Sequence, residues 1–203
     1  MSDFTDVAGL AGLAAAVTVV LLLFPKIASL SRLRQALLFA SLFAVMLIPF
    51  GEMPLAAYLR GATGDLSITT LVLLWRVLMG VWFGWGTDES MNRRMLLMLV
   101  ALAAVVLYPL ALGWGYIDPY RLGYGDPLFV VVLMLIALAA WIWKYHLTVV
   151  CIALATCAWA IGVYESDNLW DYMLDPWVSL YALGAMAWQM KRKPGGASPA
   201  HIE

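Results

Sequence analysis

Long apolar stretches alternate along this chain with shorter segments rich in glycine, proline, aspartate and aromatic residues. The apolar stretches cover residues 7–25, 35–50, 67–85, 95–113, 127–143, 147–163 and 177–190. A helix needs about 20 residues to cross the hydrocarbon core of a bilayer. Most of these stretches are close to that length, although the second and the last are shorter. The pattern predicts an all-α, polytopic transmembrane helical bundle of about seven spans, with six spans as the alternative.

Composition supports a membrane protein with little soluble mass. The chain of 203 residues is 64% hydrophobic and 12% charged, with a mean hydropathy of +0.87. Soluble domains average about 45–50% apolar and about 25% charged residues. We therefore expect one transmembrane helical domain over residues 1–190, followed by a basic and then disordered cytoplasmic tail over residues 191–203.

Basic residues predict the orientation of the spans. The first apolar stretch has no lysine or arginine before it, so it does not resemble a secretory signal. Only Arg60 and Arg121 fall in predicted outer segments. The predicted inner segments hold nine basic residues: Lys26, Arg32, Arg34, Arg93, Arg94, Lys144, Lys191, Arg192 and Lys193. This positive-inside bias predicts an N-out, C-in, multi-pass protein of a cell inner membrane.

Acidic residues show the opposite distribution. Ten acids and two arginines give the predicted outer segments a net charge of about −8, although the whole chain carries only −1. The charge distribution gives no indication of nucleic-acid binding. The chain is therefore expected to be strongly polarised across the membrane.

Arg76 lies in the middle of the third apolar stretch, about 16 Å of helical rise from Asp65, the predicted N-cap of that span. An arginine at this depth costs about 2.5–3.5 kcal/mol on insertion scales, so we expect a compensating interaction. At 100° per residue, Asp65 and Thr69 share the azimuth of Arg76 within about 20°. These three residues therefore predict a polar stripe that lines an outward-opening crevice.

The loop before this span contains the apolar island MPLAAYL, which either lies at the interface or dips into the membrane. Such a loop could bring Glu52 to Arg76, and the other outer carboxylates that could pair with it are Asp65 first and then Glu165 or Asp175. An unpaired guanidinium would instead suit an anionic ligand. The predicted ligand-binding residues are Arg76, Thr69, Asp65, Glu52 and Arg60. A purely structural Arg76, which ties backbone carbonyls together, stays open as the alternative.

Other chemistry is less strongly indicated. Outer aspartates could act as acids and bases or bind a cation, and the set comprises Asp118, Asp126, Asp167, Asp171 and Asp175. Three of them precede proline, where turn and cap roles suffice, and Asp167 is the predicted N-cap of a short interfacial helix ending near Leu174. Cys151 and Cys157 point to different faces of one helix. His146 and His201 form no ligand set, so no catalytic residue, metal or cofactor is assigned.

Three functions remain compatible with the sequence. The first is binding or transport of a small anionic molecule or lipid headgroup in the cell envelope through the outward-opening crevice. The second is a non-catalytic membrane subunit that assembles with a partner protein or with further copies of itself. The third is a membrane-embedded transferase or hydrolase that uses the outer carboxylates on a lipid-linked glycan. Membrane lipids are expected contacts in all three.

Overall fold

The computed structural model describes residues 2–84 and 90–191, which are mainly helical, as the sequence predicts. The α-helices in these residues are α1 Ser2–Leu22, α2 Pro25–Ala28, α3 Arg32–Leu47, α4 Leu55–Thr63, α5 Ile68–Phe83, α6 Ser90–Ala111, α7 Pro127–Ile142, α8 His146–Ala160, α9 Leu169–Met173 and α10 Pro176–Lys191. A hairpin of β1 (Pro49–Phe50) and β2 (Met53–Pro54) precedes α4, and a 3₁₀ turn covers Pro119–Gly123. Apart from Lys191, the predicted tail of residues 191–203 lies outside the described residues.

Each of the seven predicted apolar stretches coincides with one helix: α1, α3, α5, α6, α7, α8 and α10. Among the described residues, only Met91–Ala111 is both long and apolar enough to cross a membrane by those two criteria alone. Asp6–Leu22, Ile68–Phe83, Pro127–Ile142 and His146–Ala160 are apolar but shorter. A helical fold with one clear membrane-spanning candidate is therefore what the structure supports.

Local sequence explains where several helices begin. The structure also corrects two of the predicted N-caps. Asp126 caps α7, because its Oδ1 accepts from the backbone N–H groups of Leu128 and Phe129, at 2.8 and 3.1 Å. The N-cap of α5 is Ser67, so the prediction of Asp65 was wrong. The predicted short helix is present as α9, but its N-cap is Asn168 and not Asp167. In both cases the N-cap is the polar residue directly before the first helical residue, and its side chain accepts a hydrogen bond from a backbone N–H of the first turn.

The apolar island is folded into the hairpin and α4. Pro49 pairs with Pro54, and Phe50 pairs with Met53, so the turn consists of Gly51 and Glu52. Gly51 has a φ of +82°, which favours glycine. The hairpin ends where α4 begins, and α4 packs against α1 and α3.

Helix α5 occupies the centre of the bundle. It packs against α1 on one side and against α8, α9 and α10 on the other, while α6 packs between α8 and α10. Helices α3 and α7 lie at the periphery, against α1 and α8 respectively. The helix ends fall into two groups: an acidic end, which carries Asp6, Arg60, Asp65 and Asp175, and an opposite basic end, which carries Arg93 and Arg94.

Much of the bundle surface is apolar. Helix α7 contains no charged residue and buries only Phe129, Leu133 and Ala140. Its outward face exposes large apolar side chains, including Leu128, Met134, Leu135, Leu138 and Ile142. Continuous apolar patches of this kind are rare on soluble monomers and are typical of surfaces that contact lipid or another protein.

Candidate functional site

A lateral groove of about 910 Å³ runs between α1 and α10, with α5 as its floor. Helix α1 contributes an apolar wall that includes Leu13, Val17 and Val20, and α10 contributes Trp177 and Val178. Val20 is 49% exposed and Trp177 is 53% exposed, so the groove is open along its side. Its shape suits a long apolar molecule that enters from the side of the bundle.

Two arginines interrupt this apolar lining. Arg76 is half-buried on α5, and Arg93 enters from the first turns of α6. The guanidinium of Arg93 donates a hydrogen bond from Nη2 to the Tyr181 hydroxyl and lies 5.6 Å from the centre of the Tyr181 ring. The contact with Tyr181 orients the Arg93 side chain between α6 and α10. Among the described residues that line the groove, positive charge is therefore confined to its middle and its basic end.

A second cavity, the basic-end pocket, has a volume of about 510 Å³ and lies between α6 and α10. Arg93 and Tyr181 line both the groove and this pocket. The pocket adds Arg94, Trp188 and Gln189 to its lining. The two cavities therefore meet at the Arg93–Tyr181 pair.

The opposite end of the groove is close to the Arg60 cluster, which consists of Asp6, Arg60, Asp65 and Glu165. Arg60 binds both oxygens of Asp65, with Nε to Oδ1 at 2.7 Å and Nη2 to Oδ2 at 2.8 Å. Its Nη1 donates to Asp6 at 2.7 Å, and Nη2 lies 3.6 Å from a Glu165 oxygen. The hydrogen bonds with Asp65 raise the pKa of Arg60, although partial burial opposes this effect. Three carboxylates around one guanidinium leave this cluster negative overall.

Gly9 allows α1 to approach the Arg60 cluster. A side chain at this position would have its Cβ inside contact distance of the Asp65 carboxylate and 3.1 Å from Arg60 Nε. Only glycine therefore fits at this position without displacing the Arg60–Asp65 pair.

Asp175 joins the N-termini of two helices. Its Oδ1 accepts from the backbone N–H groups of Trp177 and Val178 at 2.8 and 2.9 Å, which caps α10. Its Oδ2 accepts from Ser67 N and Ser67 Oγ at 2.9 and 2.7 Å, and also from the Thr70 hydroxyl. The residue is only 4% exposed, and the positive ends of two helix dipoles stabilise its charge.

A third polar group lies near the 3₁₀ turn. The Tyr120 hydroxyl donates to both oxygens of Asp171, at 3.0 and 2.9 Å, and Ser166 donates to the same carboxylate. Burial and the adjacent Asp171 charge raise the pKa of Tyr120, so its phenol stays protonated as a donor. Asn168 also binds the backbone of this turn, through Nδ2 to the Tyr120 carbonyl at 3.0 Å. These contacts fasten α9 to the loop before α7.

The predicted site residues have separate positions in the fold. Arg76 lines the lateral groove, whereas Asp65 and Arg60 bind each other at the acidic end. Thr69 is 3% exposed within the helix packing, and its neighbour Thr70 lines the groove instead. Glu52 is exposed in the hairpin turn. The predicted Asp65–Thr69–Arg76 stripe is therefore not continuous, because Asp65 precedes the helix.

Arg93 and Tyr181 are two polar groove residues that the sequence does not identify as part of a site. The sequence places Arg93 only among the basic residues of the predicted inner segments, and nothing local distinguishes it from Arg94. The one indication in the sequence, which Arg94 shares, is a position inside the first turns of an apolar helix, where a long side chain can reach a neighbouring helix.

Within residues 2–84 and 90–191, no three His, Cys, Asp or Glu side chains are placed to hold a metal ion. Comparison with protein-family models, with curated proteins and with solved structures gives no match to this chain. Its function is therefore inferred from the residues of the groove and of the two ends.

Proposed function

We propose that this chain is a multi-pass protein of a cell inner membrane, with seven spans, its N-terminus outside and its C-terminus in the cytoplasm. The apolar outward face of α7 supports this proposal, because such a surface is stable in lipid and unfavourable in water. The basic residues at one end of the bundle and the acidic residues at the other support the orientation. Helices of 15 or 16 residues would be matched by local thinning of the bilayer.

We propose further that the lateral groove binds an anionic amphiphile, a molecule with an acyl chain and a negatively charged headgroup. The observation that carries this proposal is the combination of a long apolar lining with Arg76 and Arg93. A neutral chain would gain from burial along α1 and α10, and a guanidinium fork binds phosphate or carboxylate well. A small hydrophilic anion would leave most of the groove lining unused.

Charge along the groove favours one direction for this ligand. Asp175 lies beside the lining residues Thr70, Trp177 and Val178, and the negative Arg60 cluster occupies the same end of the bundle. A negatively charged headgroup would be repelled there and attracted toward Arg93. Binding from the side, with the headgroup toward the basic end, is therefore favoured over entry of a free anion from outside.

A groove-filling substitution tests this proposal. Val20→Trp places an indole ring in the groove, while Val131→Trp places the same ring on α7, at a position that is also 49% exposed. Native mass spectrometry of protein extracted in a mild detergent would count the lipids that each variant retains. We expect a tightly retained lipid on the wild type, loss of most of it from Val20→Trp, and retention by Val131→Trp.

Two results would contradict the proposal. One is a wild-type protein that retains no lipid after detergent exchange. The other is equal retention by the two tryptophan variants, which would show that lipid is held on the general apolar surface and not in the groove. The same spectra would reveal a second copy or a stoichiometric protein partner, as the assembly hypothesis requires.

A further inference from the structure

The basic-end pocket has the composition of a headgroup site. Two consecutive arginines, Arg93 and Arg94, line it together with Tyr181, Trp188 and Gln189. Guanidinium groups provide several N–H donors in a planar fork, which matches the oxygens of a phosphate. The pocket therefore presents positive charge and hydrogen-bond donors within a lining that, like that of the groove, is mostly apolar.

The pocket and the groove are adjacent and share part of their lining. Arg93 and Tyr181 border both, and the Tyr181 hydroxyl accepts a hydrogen bond from Arg93 at the junction. This bond uses one N–H of a side chain that has five, so other donors of Arg93 can reach a second acceptor. A molecule with its chain in the groove would have its polar end at this junction.

Gly184 makes room for such a headgroup. It lines the pocket on α10, and a Cβ at this position would meet no atom within 4 Å. The space beside Gly184 is therefore open, and a larger side chain could fill it without disturbing the packing of the helix.

We infer that the basic-end pocket binds the phosphate headgroup of a phospholipid from the inner leaflet, while the acyl chain of the same molecule lies in the lateral groove. This inference rests on the proposed function, and it adds the class of headgroup and the leaflet that supplies it. Arg94 is the residue that would select an anionic headgroup, because it lines the pocket without lining the groove. Arg93 contributes to both cavities and positions the boundary between headgroup and chain.

The test compares two lipids that share their acyl chains and differ in net charge. Phosphatidylglycerol is anionic and phosphatidylcholine is zwitterionic, so their affinity ratio reports the charge selectivity of the site. Arg94→Gln should lower this ratio by about fivefold, the factor expected for one arginine near an anionic headgroup. Gly184→Leu should lower the affinity for both lipids by obstructing the pocket, with every charge retained. Affinities would be measured by native mass spectrometry during lipid titration in detergent.

Arg34→Gln is the matched control, because Arg34 is an exposed arginine on α3 that lines neither cavity. We expect it to leave the ratio unchanged. An equal fall in Arg34→Gln and Arg94→Gln would overturn the inference, since it would indicate attraction to the whole basic end. Inorganic phosphate would be titrated in the same way. If it alone bound as tightly as phosphatidylglycerol, the inference would also be overturned, in favour of a site for a free anion.

The two proposals fail in different ways. If the groove holds no lipid, Val20→Trp and Val131→Trp retain equal amounts of lipid, whatever the effect of Arg94→Gln on the affinity ratio. If the groove holds lipid but the pocket does not hold its headgroup, Val20→Trp loses both lipids while Arg94→Gln and Gly184→Leu match the wild type.

Discussion

At the scale of single residues, Arg60 shows how an arginine can be paired with carboxylates of its own chain. Its side chain is only 15% exposed, and its hydrogen bonds to Asp65 and Asp6 connect α4 with the segment before α5 and with α1. Glu165 lies at the edge of this cluster with a 60% exposed side chain. Because Arg60 already binds two carboxylates, the cluster acts as a structural junction and is a poor site for an external anion.

The carboxylates of this cluster make stability depend on pH. A hydrogen bond with Asp6 raises the pKa of Glu165 above its ordinary value, whereas the hydrogen bond with Arg60 lowers the pKa of Asp6. Stability from Glu165 is therefore complete below its unfolded pKa and is lost as pH rises through its folded pKa. Stability from Asp6 is present above its unfolded pKa and is lost as pH falls through its folded pKa.

Glu165→Gln removes the first of these effects and keeps a side chain that can donate to Asp6. We expect this variant to unfold at a higher temperature than the wild type at neutral pH, with the two curves converging as pH falls below the ordinary pKa of a glutamate, where Glu165 is protonated in both the folded and the unfolded state. Thermal unfolding in detergent across this pH range measures the difference. A difference that is constant with pH would show that the Glu165 charge is not responsible.

At the scale of helices, Asp175 connects elements that begin far apart in sequence. Its side chain caps α10 and also binds Ser67, the N-cap of α5, which lies 108 residues earlier. Asp126 provides a comparison within the same chain, since it caps α7 alone. The two aspartates therefore separate the contribution of an ordinary cap from that of a junction between two helices.

We expect Asp175→Ala to destabilise the protein by about 2–4 kcal/mol, because it removes a cap and leaves the donors of Ser67 and Thr70 without their carboxylate. Asp126→Ala should cost about 1 kcal/mol, the typical value for one cap. Unfolding titrations of the two variants in mixed micelles would measure both. Equal losses would argue that the Asp175 contact with α5 adds nothing to stability.

At the scale of the whole molecule, charge and hydropathy divide the bundle into two ends and an apolar girdle. Arg121 in the 3₁₀ turn and Lys144 after α7 lie at opposite ends of α7. In the proposed topology they lie on opposite sides of the membrane, with Arg121 outside. The same division gives the groove its direction, from the acidic end toward Arg93.

Single cysteines at these two positions test the topology. In a background with Cys151→Ala and Cys157→Ala, a membrane-impermeant maleimide applied to intact spheroplasts should label Arg121→Cys and spare Lys144→Cys. Permeabilisation should make both positions reactive. Labelling of both before permeabilisation would contradict a membrane-crossing α7, and labelling of Lys144→Cys alone would reverse the orientation.

The sequence by itself determined the helices and many of their boundaries. Apolar runs and flanking cap residues are local signals, so α7 could be predicted from Asp126, Pro127 and the apolar residues that follow. The cap roles of Asp118, Asp126 and Asp175 were also readable, because an aspartate directly before proline and a helix binds N–H groups two or three residues ahead. The separation of acidic and basic residues required only the order of the segments.

Only the tertiary structure decided which side chains meet. Arg60 and Asp6 are 54 residues apart, and Ser67 and Asp175 are 108 apart, so neither pair leaves a local trace. Helices such as α7 and α8 are apolar on nearly every face, and their sequences therefore do not reveal which face packs inward. The lateral groove exists because α1, α5 and α10 adopt particular rotations and spacings, and these depend on side-chain packing between distant parts of the chain.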